Sequence, residues 1–349
     1  MSARRPAPRV PTGAITMADI AELANVSAST VSRALTDSKL ISRATREKIQ
    51  EIARSTGFSV NPLASGLRSK KSNVVSVLIT LIHDRHQHVS DPFMMTMLAH
   101  VADALTEAGY DMLLSKVSVH EDGWIERLFA TRRPAAALLI GQSFEHASIE
   151  KAARAGLPVV AWGARLPRQS YATVGSDNRQ GGFLAAQHMI AQGYRNIAFL
   201  GDRRTPEIAQ RFEGFRRAHR KAGLPVQSGL VTASPFDGAS AFAAARELVA
   251  RGTGMDGIVA GSDVIAMSAI RALISAGRQV PRDVGLVGFD DIELAGFITP
   301  SLTTIRQDLA LGARLLVEKM VAVIAGEAAE SIELPARLVV RESSPKREE

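Results

Sequence analysis

The 349-residue chain contains no cysteine. That removes disulfides, thiolate catalysis and cysteine-ligated zinc from consideration. Aromatic residues make up only 5% of the chain, with two tryptophans, while hydrophobic residues reach 46%. A core is therefore affordable but aliphatic, and general disorder is excluded. No apolar run reaches the roughly 18–20 residues that span a bilayer. Arg4, Arg5 and Arg9 are followed by no apolar stretch, so a secretory signal is not expected and a soluble cytoplasmic protein is. The usual chemical fingerprints are also missing. There is no GxxxxGKS/T loop, no convincing GxGxxG after a strand, no HExxH, no GxSxG and no paired-carboxylate constellation. Gly181-Gly182 opens a helical stretch, for which close packing is a simpler reading than nucleotide binding. No enzyme, cofactor or metal is expected.

What the chain does have is positive charge in one place. Residues 1–73 hold 12 Lys+Arg against 5 Asp+Glu, and the remaining 276 residues hold 30 of each. The whole net charge of +7 belongs to the first fifth of the chain. A basic head on a neutral body suggests a phosphate-facing module joined to a part that meets something else.

Residues 1–15, rich in Pro, Arg and Ala, read as a disordered basic arm. Thr16 with Asp19 resembles a capping box, and Ile20, Leu23 and Ala24 recur at helical spacing. Asn25-Val26-Ser27 breaks this helix, and Ser27 can cap a second one running through Leu35. Ser42 can cap a third, with Ile49, Ile52 and Ala53 on one face and Gly57 at its end. Three short helices, the first two joined by a three-residue turn, form the helix-turn-helix pattern over residues 16–60. In the second helix Val31, Ala34 and Leu35 can pack inward, which leaves Ala28, Ser29, Ser32 and Arg33 outward. Small hydroxyl side chains and one Arg suit the major groove of double-stranded DNA, although a polar face in water has the same composition. In the next segment, 61–73, Asn61-Pro62 starts a short helix weakened by Gly66, followed by Leu67, Arg68, Lys70 and Lys71. This fits a hinge that orders on DNA and offers an apolar wedge to the minor groove; a plain flexible linker is the alternative.

Thr16 to Ala21, Val26-Ser27, Thr30 to Arg33, Thr45 to Lys48 and Asn61 to Leu67, in this order and spacing, resemble the head of a LacI/GalR-type repressor. The resemblance implies operator contacts from Thr16, Ser27, Ala28, Ser29, Thr30, Ser32, Arg33, Asn61, Leu67 and Arg68. Ala28 and Ser29 would set base preference, Arg33 would contact a base, and Leu67 would intercalate. Pro62 and Gly66 depart from the commonest hinge residues.

From Val74 onward, short β-rich runs alternate with amphipathic helical stretches, many closed by glycine. The runs are Val74–Thr80, Met112–Val117, Ala136–Ile140, Val159–Trp162, Asn196–Leu200, Gly257–Ala260 and Val284–Gly288. The expected fold is a small all-α helix-turn-helix head plus a two-lobed α/β body with parallel sheets, residues 74–341, and a polar tail, 342–349. The resemblance extends through this body, carried by Val174 to Asn178, Gly193 to Ala198, Arg211 to Phe215, Gly261 to Asp263, Val287 to Asp291 and Leu302 to Gln307. It implies a periplasmic-binding-protein-like, dimerising body. Effector contacts would include Arg211, Ser262, Asp290 and Gln307, with Phe236 as an aromatic platform. Asp91 and Phe93 lie where the family loop approaches the cleft, and Trp162 ends a strand there; core packing is the alternative for Trp162. His83, His86 and His88 fall within six residues, a spacing that suits a solvated loop better than a metal site.

The expectation is a repressor of carbohydrate-utilisation genes, binding a near-palindromic operator as a homodimer and controlled by a sugar or glycoside. A body that senses a phosphorylated carrier protein, or a purine-like effector, is the alternative. A sugar-processing enzyme and a transport-type binding protein fit less well.

Overall fold

The computed structural model describes residues 15–35, 38, 40–58, 72–80, 89–117, 122–142 and 145–347. The expectations for Asn61, Leu67, Arg68 and the three histidines at 83, 86 and 88 lie outside the described residues. The chain divides into two compact units, 1–72 and 73–349.

The head follows from its caps. Thr16 and Asp19 form a reciprocal box: Asp19 accepts from the Thr16 backbone N–H and hydroxyl, both at 2.7 Å, and Thr16 Oγ1 accepts from the Asp19 N–H at 3.3 Å. Helix α1 (Met17–Ala24) starts there and stops at Asn25, whose φ of 58° is left-handed. Ser27 Oγ accepts from the Thr30 N–H at 3.2 Å and opens α2 (Ala28–Leu35). Ser42 caps α3 (Arg43–Ser55). Ile20, Ala24, Val31, Ala34 and Ile49 make the small core. Side chains of α3 close the other helices: Lys48 donates to the Ala24 carbonyl at 3.1 Å and Gln50 to that of Ala34 at 3.3 Å. These are carbonyls that helix ends leave without a partner.

The body holds two six-stranded sheets. The first lobe consists of β1 (Val74–Thr80), α4 (Pro92–Glu107), β2 (Asp111–Val117), α5 (Trp124–Arg132), β3 (Ala136–Ile140), α6 (His146–Arg154), β4 (Val159–Trp162) and β5 (Ala172–Ser176). The second lobe runs through α7 (Asn178–Ala191), β6 (Ile197–Leu200), α8 (Pro206–Lys221), β7 (Val231–Thr232), α9 (Gly238–Ala250), β8 (Gly257–Ala260), α10 (Asp263–Ser275), β9 (Gly285–Asp290) and β10 (Thr303–Arg306). Helix α11 (Leu309–Ile324) then packs on the first lobe's core, β11 (Ile332–Leu334) joins that lobe's edge beside β5, and β12 (Arg337–Val339) returns to pair antiparallel with β10. The sheet orders are β2-β1-β3-β4-β5-β11 and β7-β6-β8-β9-β10-β12, with every described pairing except β10–β12 parallel. Strands buried on both faces explain the continuous apolar runs of the sequence. The chain therefore passes between lobes after β5, after β10 and between β11 and β12, and the strand C-terminal ends border the cleft.

The polar end of the chain corrects the expected boundary at 341. Ser343 and Ser344 are fully buried. The Ser343 hydroxyl donates to the Leu286 carbonyl at 2.7 Å and accepts from the Thr303 N–H at 2.8 Å, while the Leu286 N–H donates to the Ser343 carbonyl at 2.8 Å. Ser344 Oγ lies 2.9 Å from His188 Nε2, and Arg347 pairs with Asp256 at 3.1 Å. Polarity marked this segment as a tail; here it serves hydrogen bonding inside the second lobe, so the body extends to residue 347.

Candidate functional site

The outward face of α2 matches its sequence reading. Ser27, Ala28, Ser29 and Arg33 are exposed, Thr30 and Ser32 half-buried, and Val31 and Ala34 fully buried. Ser27 Oγ lies 2.8 Å from Ser29 Oγ and 2.9 Å from Thr30 Oγ1, so three hydroxyls form one cluster at the helix N-terminus. Such an end, with hydroxyls and free backbone N–H groups, is suited to phosphate.

In the body the cleft is organised around Arg211, on α8, and Asp290, the last residue of β9. Arg211 Nη1 stands 3.8 Å from Asp290 Oδ1, both side chains nearly buried. Arg211 Nε donates to Asn178 Oδ1 at 2.8 Å, another of its N–H groups donates to the Gly261 carbonyl, and its guanidinium lies 3.6 Å over the Phe289 ring. Gln307 donates to Asp290 Oδ1 at 2.7 Å. Asp290 has a φ of 114° and Asp291 one of 57°. Backbone in this region is costly for a residue with a side chain and tends to persist at functional sites. Burial pushes the Asp290 carboxyl well above the ordinary carboxylate range; Arg211 opposes this, and the nearby carboxylates of Asp263 and Asp91 add to it.

Asp91 belongs to the first lobe, where it caps α4 by accepting from the Phe93 and Met94 N–H groups at 3.0 and 3.2 Å. Burial raises its carboxyl as well. Phe93 packs against the cores of both lobes, and Phe236 against both core clusters of the second. Ser262 is buried and caps α10, its Oγ accepting from the Ile265 N–H at 3.3 Å. Asp290 thus meets both Arg211 and Gln307, Asp91 acts on Asp290 electrostatically, and Ser262 follows the Gly261 carbonyl that holds Arg211. Trp162 is different. Its ring packs in the first lobe's core against Gly312 of α11, so closely that a Cβ at Gly312 would overlap it. This arrangement gives Trp162 a packing role in the first lobe's core. Beside Asp290 and Gln307 a cavity of about 450 Å³ opens, with Thr96 and His100 of α4 on its first-lobe side. This falls within the range of small-molecule sites.

Three cleft residues had not been singled out. Asn178 and Asp263 fall within the matching motifs but not among the expected effector contacts. Glu207 accepts from the Gln142 N–H of the first lobe at 3.3 Å, and burial raises its carboxyl. Asp263 accepts from Thr304 Oγ1 at 2.5 Å and from the Ile292 N–H at 2.9 Å, and burial pushes its carboxyl up to about 7. A second link between lobes runs from Gln210 Nε2 to the Arg165 carbonyl at 2.9 Å. Among the described residues, no group of three or more metal-ligating side chains occurs and no helix is long and apolar enough to cross a membrane.

Comparison with known proteins agrees with both halves of this architecture. Residues 16–61 match the family described as bacterial regulatory proteins, lacI family, and residues 186–344 match a periplasmic binding protein-like domain. The HTH-type transcriptional regulator CelR of Thermobifida fusca is 31% identical over 334 residues, covering 94% of this chain and 98% of its relative. The chain belongs to the LacI family. It is a DNA-binding transcriptional regulator, with a helix-turn-helix head and a two-lobed sensing body. The ribose operon repressor of Escherichia coli K12 is 30% identical, covering 84% of this chain and 88% of the repressor. Among solved structures, a CelR–cellobiose complex superposes with a TM-score of 0.71 at 30% identity, covering 94% of this chain and 99% of that one. A lac repressor dimer bound to operator shares the fold with a TM-score of 0.81 at 22% identity, covering 95% and 100%.

Proposed function

We propose that this regulator represses carbohydrate-utilisation genes and that a sugar or glycoside held between the lobes controls its grip on the operator. The observation that carries the reading is the cluster in which Asp290, at the end of β9, meets Arg211 of α8 and Gln307, which follows β10. Phe93 and Phe236 are the aromatic side chains this reading assigns to the same cleft. Sugar hydroxyls need donors and acceptors together, and an apolar pyranose face packs on an aromatic ring. Arginine, carboxylate and amide side chains supply the first, and the two phenylalanines the second. The relative whose solved complex contains cellobiose supports this class of ligand. Cleft residues come from both lobes, so a ligand there has different contacts in open and closed states and can shift the balance between them.

A homodimer accompanies this reading. Met112, Leu113 and Leu114 on the edge strand β2 are between 37% and 41% exposed, and Met95 on α4 is 50% exposed. A patch of this kind on an unpaired edge is suited to a second copy of the chain. Two copies would present two heads to a near-palindromic operator.

The test is a thermal-shift screen of the full chain against sugars and glycosides, beginning with cellobiose. A true effector at 100 times its Kd stabilises the body by about 2.7 kcal/mol. The hit is then titrated into a gel shift with an operator obtained by selection from random DNA. A sugar that raises the melting temperature and changes operator occupancy supports the proposal. If no sugar shifts the protein while a phosphorylated carrier protein is retained by it, a protein-sensing body replaces the proposal.

A further inference from the structure

On the second lobe, away from the residues that gather around Asp290, a groove of about 590 Å³ runs between α8 and the edge strand β7. One face of α8 lines it at helical spacing with Phe212, Arg216 and Arg220; Arg203, from the loop after β6, closes its end. Leu224 and Val226, both half-buried, form part of the floor. No Asp or Glu is among the lining residues.

The lack of a carboxylate here contrasts with several exposed helical arginines elsewhere in the chain that do have one. Arg43 bonds Glu47, Arg154 bonds Glu150 and Arg251 bonds Glu247, each four residues away. On α8, Arg216 and Arg220 are themselves four residues apart, so like charges face each other, an arrangement that destabilises a helix. Glu213, three residues before Arg216, is engaged by Arg179 at 2.7 Å. Cations at a helix C-terminus do complement the helix dipole. That accounts for basic residues in the last turn, but not for Arg203, which arrives from a different element. The Arg203 guanidinium also lies over the Phe212 ring, 4.7 Å from its centre. At the groove's base, His219 donates through Nδ1 to the Phe215 carbonyl at 3.0 Å, and burial lowers its pKa. Its other ring nitrogen is then an acceptor, suited to a hydroxyl group.

We propose that this groove is a second ligand site, for a small phosphomonoester carried on a flat or apolar body, with a nucleoside monophosphate as its simplest representative. The phosphate would sit on Arg216 and Arg220, where bidentate guanidinium contacts suit its geometry. The ring would lie against Phe212, Leu224 and Val226. The groove's volume matches a small molecule. Arg211 and Phe212 are consecutive on α8 but point to different faces, so one helix carries both the cleft cluster and this groove.

Equilibrium dialysis of the full chain with adenosine 5′-monophosphate at about 0.15 M salt tests the proposal. Adenosine, inorganic phosphate and a random DNA duplex serve as separate probes. Saturable binding of one AMP per chain is expected, with adenosine and inorganic phosphate each at least tenfold weaker. The double variant Arg216→Glu, Arg220→Glu is expected to lose at least tenfold in AMP affinity while its circular dichroism spectrum and melting temperature stay unchanged. Should that variant unfold, Arg203→Gln, on a loop, provides the same reading with a smaller loss. Absence of AMP binding, equal binding by the charge-reversed variant, or a loss of duplex affinity in that variant without a loss of AMP affinity would each overturn the proposal.

Discussion

Arg211 and Asp290 stand 3.8 Å apart, both nearly buried, one on α8 and the other at the end of β9. A buried pair of opposite charge contributes little net stability, because taking both ions out of water offsets their attraction. Under the proposed function, recognition is the role of this pair. The pair keeps a donor and an acceptor positioned before any ligand arrives, so that less ordering is needed on binding.

For Asp290→Ala we expect a protein that still binds operator but no longer answers the sugar. Removing a charged hydrogen-bonding group from a contact costs about 1.5–3 kcal/mol, or roughly 10–150-fold in effector affinity. Operator gel shifts with and without sugar check this. Normal release from DNA would remove Asp290 from the effector site.

Asp263 makes stability depend on pH. Its carboxyl is raised from 3.8 to about 7 in the folded protein, chiefly by burial. Between those values the folded chain holds a proton that the unfolded chain has lost, so this group's contribution falls as pH rises through the window. Asp263→Asn should flatten the decline, since the amide oxygen can replace one acceptor and the Thr304 hydroxyl can turn to meet the amide. The measurement is the difference in melting temperature between wild type and variant from about pH 4 to 8; parallel curves would refute it.

Gly182 and Gly214 set the separation of α7 and α8. A Cβ on Gly182 would overlap the Arg211 carbonyl, and one on Gly214 the Arg179 carbonyl. Backbone atoms cannot swing aside, so Gly182→Ala should cost about 1–3 kcal/mol and displace Arg211. Both a lower melting temperature and a weaker sugar response are expected. A variant as stable and as responsive as the wild type would show that α8 moves freely.

Ser343→Ala removes both a donor to the Leu286 carbonyl and an acceptor for the Thr303 N–H. Leaving such buried groups without partners costs about 1–3 kcal/mol. A lower urea midpoint for the body is the expected result, with the DNA-binding head unaffected.

In the head, Arg33→Ala should weaken operator binding by about 1–3 kcal/mol, the scale of one specific base contact. Leu67→Ala should also lose operator affinity and leave sugar affinity intact. Gel-shift titrations at several salt concentrations check both, and unchanged binding by the Leu67 variant would remove the hinge wedge from the mechanism. Wild-type binding should fall steeply with salt because the +7 charge is confined to residues 1–73.

Much of this was legible before any tertiary structure. The capping box at Thr16 and the inward set Val31 and Ala34 needed only local hydrogen-bonding and periodicity rules. The same rules located Val74–Thr80, Ala136–Ile140 and Val159–Trp162, because strands inside a parallel sheet are apolar on both faces. Strands such as β7, β11 and β12 were missed. They are two or three residues long and exist only because longer strands lie beside them. Glu207 was passed over for a related reason: a Glu near a helix start is ordinarily an exposed charge, and nothing local reveals that Gln142 of the other lobe comes to meet it.

Sequence alone determined that the excess positive charge lies in residues 1–73, which helix of the head is polar on its outer face, and that a neutral α/β body follows, since charge counts and short-range periodicity are properties of neighbouring residues. Tertiary structure decided that Arg211, Asp290 and Gln307 share one site, that Trp162 belongs to the core, and that the polar end of the chain is buried. Those facts concern residues far apart in the chain. Burial and partnership arise only when the lobes fold and three chain crossings bring them together.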